Sequence, residues 1–132
     1  MKILIASDSY KGSLSSLEVS KSIQKGFKEV FEDVSFKTLS MADGGEGTMQ
    51  SLVDATGGRV YSKEVVGPLG NNVVAEYGIL GNGEIGVIEM ASASGIHLVD
   101  SEKRNPLITT TFGTGQLIKA CLDKGVKKLL IG

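Results

Sequence analysis

Three short stretches of this 132-residue chain combine residue types that could handle a charged ligand. In ASDSYKGSLSS, residues 6–16, an acid, a base and a hydroxyl, Asp8, Lys11 and Ser13, sit around Gly12 directly after the apolar run Ile3-Leu4-Ile5. In MADGGEGT, residues 41–48, Asp43 and Glu46 are interleaved with Gly44, Gly45 and Gly47. In TTTFGTG, residues 109–115, hydroxyls and glycines, Thr110 and Gly113 among them, open an apolar helical pattern. An ammonium such as Lys11 can neutralise phosphate oxygens, and free amides at a helix start can hold an anion. Carboxylates such as Asp8, Asp43 and Glu46 can orient a hydroxyl or offer hard oxygens to Mg²⁺. The same residues have plainer uses. Asp43 and Glu46 have the spacing of a capping box, worth about 1 kcal/mol with no function at all, and Thr114 could be an N-cap. No G-x-x-x-x-G-K-[ST] loop is present, and Ile118 stands where a G-x-G-x-x-G pattern begun at Gly113 needs its third glycine.

Loops of this kind bind ligands when they leave the carboxyl ends of parallel strands, so the flanking elements decide their value. Residues 1–6 read as a strand buried on both faces, because the apolar run is unbroken. Ser15 and Glu18 mark a capped helix start, and Val19, Ile23, Phe27, Val30 and Phe31 recur at three- and four-residue intervals over about four turns. A second strand is expected at 35–39, then MADGGEGT, then a helix carrying Met49, Leu52 and Val53 that stops at Gly57-Gly58. Strand, loop and helix, repeated, is the signature of a parallel Rossmann-like sheet. Near residue 65 the texture changes to short β-branched segments, 60–66, 73–80 and 84–89, broken by turns such as Gly81-Asn82-Gly83. The expected fold class is therefore α/β: a parallel unit over residues 1–65, then part of a second, more antiparallel α/β domain over 66–132, both incomplete. Residues 92–106 show little periodicity and read as loop with a helical turn. A last helix from Thr114 carries Leu117, Ile118, Cys121 and Leu122, and a strand follows at 129–131.

Composition narrows the partners. The chain has 14 Lys and Arg against 15 acidic residues, so no positive excess favours nucleic acid or an anionic membrane. It contains no apolar run of the length that crosses a bilayer. The single cysteine, Cys121, excludes an internal disulfide and fits a reducing, cytoplasmic setting. His97 lies between Ile96 and Leu98 with no triad or zinc pattern around it, and Cys121 falls on an apolar stripe.

At these loops the sequence resembles bacterial glycerate kinases of the type I family. The segments SDSYKGSLSSLEV, MADGGEGT, TGG, GPLGNNVVAEYGIL, VIEMASASGI, NPLITTTFGTGQLI and LLIG follow that family's order and spacing across effectively the whole chain. Ser7 stands where the family usually has proline and Tyr10 where it usually has phenylalanine. Members of the family are much longer and carry a further glycine-rich loop just past LLIG, so the chain looks like an amino-terminal portion, expected to be inactive alone. The resemblance implies two α/β domains with the active site in a cleft between them, and ATP-dependent phosphorylation of a glycerate hydroxyl. It further implies ATP and Mg²⁺ as cofactors and glycerate as the small-molecule partner, with no nucleic acid or membrane; self-association is left open. Carried onto this sequence, Asp8, Lys11 and Ser13 line the cleft with Asp43 and Glu46 beside them. Lys11 is expected to meet phosphate or the glycerate carboxylate, Asp8 to orient or deprotonate the attacking hydroxyl, and Asp43 or Glu46 to hold the metal. Ser13, Gly44, Gly45, Glu46, Thr110 and Gly113 are the expected substrate or phosphate contacts. A non-catalytic nucleotide- or anion-binding module is the alternative.

Overall fold

The computed structural model describes residues 1–10 and 13–132; Lys11 and Gly12, and with them the expectation placed on Lys11, lie outside the described residues. Its two compact units are Met1–Asp43 and Gly44–Gly132. The division falls upstream of residue 65, where the sequence changes texture.

In the first unit the apolar run builds β1 (Lys2–Ser7), which pairs in parallel with β2 (Ser35–Ser40) from Lys2↔Ser35 to Ser7↔Ser40. Helix α1 (Ser16–Val30) is the crossover between them. Its start is the capping box read from the sequence: the Glu18 amide donates to Ser15 Oγ at 3.3 Å and the Ser15 amide to Glu18 Oε2 at 2.8 Å. Val19 and Ser20 are buried, and Phe27 meets Phe36 of β2 edge-on, with ring centroids 6.3 Å apart. The expectation of a strand buried on both faces is corrected here. Ile5 is buried, but Leu4, pointing to the opposite face as strand alternation requires, is 61% exposed.

The second unit is a four-stranded sheet covered on both faces. The strand order is β3 (Arg59–Val66), β4 (Asn72–Ile79), β5 (Ile85–Ile88) and β6 (Lys128–Ile131), antiparallel through β5, with β6 parallel to it. Helix α4 (Phe112–Asp123) and the short α3 (Met90–Ser94) cover one face, packing Ala93, Leu117, Ala120 and Cys121 against Val65, Ala75, Tyr77 and Ile88. Helix α2 (Thr48–Thr56) covers the other, where Met49 and Val53 meet Leu80 and Val87. Gly78 makes room for that helix: a Cβ there would stand 2.5 Å from Val53 Cγ2. Because α2 and β3 share this packing with β4 and β5, both belong to the second unit.

The stretch expected as loop at 92–106 holds the end of α3 and two 3₁₀ turns, Ile96–Leu98 and Ser101–Lys103. Short helical turns of three to five residues leave too few repeats to register as periodicity. No helix among the described residues is long and apolar enough to cross a membrane.

Candidate active site

In the first unit the parallel register brings two of the singled-out loops to the same edge. Ser7 pairs with Ser40, and the Met41 amide donates to the Ser7 carbonyl at 3.1 Å, so the chain leaves β1 at Asp8 and β2 at Met41 side by side. Asp8 is exposed, and its Oδ1 accepts the Ser9 amide at 2.6 Å. Tyr10 and Leu14 form an isolated antiparallel bridge, the Tyr10 amide donating to the Leu14 carbonyl at 2.8 Å, and the Ser13 amide donates to the Tyr10 carbonyl at 2.8 Å. The base of the loop is tied down as well. Ser16 Oγ donates to the Ser7 carbonyl at 2.7 Å, and Ser7 Oγ lies 3.3 Å from Ser20 Oγ. Asp43 is exposed at the end of this unit.

The second unit begins with the glycines of MADGGEGT. Gly44 and Gly47 have φ of +98° and +90°, the left-handed region that side chains disfavour, which accounts for two of the three glycines by backbone shape alone. Helix α2 starts one residue after Gly47, which is its N-cap and has no side chain to offer. The capping box that the spacing of Asp43 and Glu46 allowed is therefore not what starts this helix. The Gly44 amide donates to Thr48 Oγ1 at 3.1 Å, and the Met49 amide donates to Glu89 Oε1 at 2.7 Å.

In the sequence, Glu89 followed by the small residues 91–95 is a carboxylate at a strand end that reads as either a turn or a ligand edge. The structure gives it a partner 40 residues away. It follows β5 directly, beside the end of β6: the Met90 amide donates to the Gly132 carbonyl at 2.7 Å, and the Gly132 amide to the Ile88 carbonyl at 2.9 Å. Gly132 lies so close to Gly44 that a Cβ on it would collide with the Gly44 carbonyl. The carboxyl ends of the parallel pair β5 and β6 thus meet the loop that starts α2. Between them is a hollow of about 430 Å³, lined among others by Glu46, Gln50, Glu76, Glu89, Ser92 and His97. Ser92 serves the sheet there, its Oγ accepting the Glu76 amide at 2.8 Å where β5 no longer runs alongside.

Thr110 and Gly113 lie along another part of the unit. The Thr110 amide donates to the Pro68 carbonyl at 3.0 Å, and a Cβ on Gly113 would collide with the Val66 carbonyl. Tyr61 of β3 is level with Tyr77 and, through it, with Ile88, so Val66 is about five residues, on the order of 16 Å, further along the sheet. Gly113 serves close packing of α4 on β3, reinforced by the Val66 amide donating to Gln116 Oε1 at 2.7 Å. Helix α4 begins at Phe112, so Thr114 is its third residue rather than its cap, buried with Oγ1 2.8 Å from Ser94 Oγ. Cys121 is a core thiol whose pKa burial pushes up to about 11, which keeps it protonated and unreactive. His97 is exposed on the rim of the hollow.

Among the described residues no group of three or more His, Cys, Asp or Glu side chains is placed to hold a metal ion. What Asp43 and Glu46 offer is exposed hard oxygen. That suits the way Mg²⁺ is held by one or two carboxylates together with phosphates, rather than in an all-protein cage.

Comparison with known proteins finds similarity along the whole chain. Over all 132 residues it is 59% identical to the glycerate kinase of Bacillus subtilis (strain 168) and 51% identical to the glycerate 2-kinase of Escherichia coli (strain K12), spanning 35% of the length of each. A crystal structure assigned to glycerate kinase 2 of Salmonella typhimurium LT2 superposes on 100% of the chain with a TM-score of 0.81 at 52% identity, and the chain covers 35% of it. The model of the glycerate kinase family matches residues 3–132, and with nearly every residue accounted for by that match, the chain belongs to the glycerate kinase family.

Proposed function

We propose that this chain is the amino-terminal portion of a cytoplasmic glycerate kinase, which transfers the terminal phosphoryl group of ATP to a hydroxyl of glycerate and releases phosphoglycerate and ADP. The observation that carries the reading is the adjacency of the two loops on β1 and β2. Ser7 pairs with Ser40, so ASDSYKGS and MADGGEGT leave one end of a parallel sheet, the edge where such sheets take ligands. Phosphoryl transfer asks a protein for in-line positioning and neutralisation of charge more than for covalent chemistry. Residues of these loops have the types for that work. Lys11 meets phosphate or the glycerate carboxylate, and Ser13 and the backbone of residues 44–45 add hydrogen bonds. Asp8, exposed beside its own strand end, orients the attacking hydroxyl and accepts its proton. Mg²⁺ on the ATP phosphates, when bound, offsets their charge, and Asp43 and Glu46 are the carboxylates that would hold it. Thr110 and Gly113 are retained as phosphate contacts only through the family pattern, because packing on Val66 already explains the glycine.

The test is a coupled assay of ADP release with ATP, Mg²⁺ and D-glycerate on the full-length enzyme. Lys11→Met and Asp43→Asn should each lower turnover by on the order of a hundredfold or more. Near-normal turnover in both removes these residues from the mechanism. The 132-residue chain alone, about a third of the length of its relatives, should show no turnover.

A further inference from the structure

We infer that Glu89 is a positioning residue, holding the segment that carries Glu46 against the sheet so that it stands ready for the phosphates; the inference rests on the kinase reading above. Three observations support it. Helix α2 starts from Gly47, whose left-handed backbone and missing side chain leave the first amides without the usual cap. Glu89 supplies one from outside the helix, its Oε1 accepting the Met49 amide at 2.7 Å, where a carboxylate also meets the positive end of the helix. Its own backbone is fixed on both sides, because β5 ends at Ile88 and the Met90 amide is held by the Gly132 carbonyl at 2.7 Å.

The link therefore joins the carboxyl ends of β5 and β6 to the start of α2, and Glu46 and Glu89 line the same hollow. Within residues 44–48 the Gly44 amide donates to Thr48 Oγ1 and the Thr48 amide to the Gly45 carbonyl, and the Glu89 link adds a tie from this segment to the sheet. Placing a carboxylate on the helix start has a second consequence. It occupies the Met49 amide, one of the donors an anion at the helix start would otherwise seek.

The experiment compares Glu89→Ala and Glu89→Gln in the full-length enzyme, because glutamine keeps an oxygen that can accept the Met49 amide while removing the charge. Glu89→Ala should lower kcat by roughly tenfold to a hundredfold, the scale of a displaced positioning group, with a melting temperature close to that of the parent. Glu89→Gln should recover most of that loss. Exchange of the Met49 amide proton, followed by NMR, should quicken by about tenfold or more in Glu89→Ala and stay slow in Glu89→Gln. Turnover within twofold of the parent in Glu89→Ala overturns the inference. So does a Glu89→Gln variant as damaged as Glu89→Ala, which would mean that the charge acts directly. If the parent itself fails to phosphorylate glycerate, the kinase reading falls, while the Met49 exchange still reports whether Glu89 anchors the loop.

Discussion

The two compact units use similar parts to different effect. In Gly44–Gly132 a four-stranded sheet has a helix on each face, and Leu117, Ile88, Ala75 and Cys121 are fully buried. In Met1–Asp43 a two-stranded sheet is packed on one helix, and the apolar run Ile3-Leu4-Ile5 of β1 still shows Leu4 at 61% exposure, with Leu39 and Phe31 also exposed. The contrast teaches that an apolar run fixes the presence of a strand, whereas burial depends on how many layers gather around it. Two strands and a helix cannot surround an apolar strand on both faces. Yet even in the sparser unit two parallel strands suffice to bring two strand ends side by side.

The sharpest way to break this comparison is to truncate one leucine in each unit. Leu117→Ala, at a site with 0% exposure, should cost about 2–5 kcal/mol in urea denaturation, whereas Leu4→Ala in the same chain should cost less than about 0.5 kcal/mol. Equal losses would mean that β1 is covered in solution. A smaller effect separates the units by their caps. Ser15→Ala should weaken α1 by about 1 kcal/mol, read as lost helicity by circular dichroism, with no change at α2, whose N-cap is a glycine. The Ser15 hydroxyl and amide, in that order, hold the Glu18 carboxyl below its ordinary pKa of 4.5. The charged form is thus favoured in the folded state. Its contribution is present above pH 4.5 and is lost as the pH falls through the lowered value, a dependence that Ser15→Ala should reduce, leaving the part held by the backbone amide.

The smallest effect concerns Cys121. With its pKa raised to about 11 by burial, the thiol should resist a disulfide reagent at pH 8 in the native chain and react on unfolding. The neutral thiol is favoured in the folded state, so its contribution is whole below the ordinary value of 9.0 and is lost as the pH rises through about 11. Rapid native labelling would show that the second unit opens as readily as the first.

Much of the fold was readable in the residues. The capping box at Ser15 and Glu18, the α1 crossover, the parallel pairing of β1 with β2 and the antiparallel β3 to β5 all follow from local patterns, since caps, turns and periodicities act within a few residues. Of the two uses open to Asp43 and Glu46 in the sequence, the capping box is not the one that starts α2, because the helix begins at Thr48 after the positive φ of Gly47. Gly113 read as a candidate phosphate contact, and its close approach to the Val66 carbonyl, which the sequence could not show, gives the glycine a packing reason as well. The role of Glu89 had no local signal beyond a carboxylate at the end of an apolar run.

By itself, then, the sequence determined the family, the chemistry-bearing loops and the elements on either side of them, because residue type, spacing and periodicity are properties of neighbours along the chain. Which loops share a strand end, which glycine turns and which one packs, and that a carboxylate at position 89 caps a helix beginning at 48, were decided only by tertiary structure. Those relations join residues up to 47 positions apart, and they exist only once strand register and helix docking bring the groups within reach of one another.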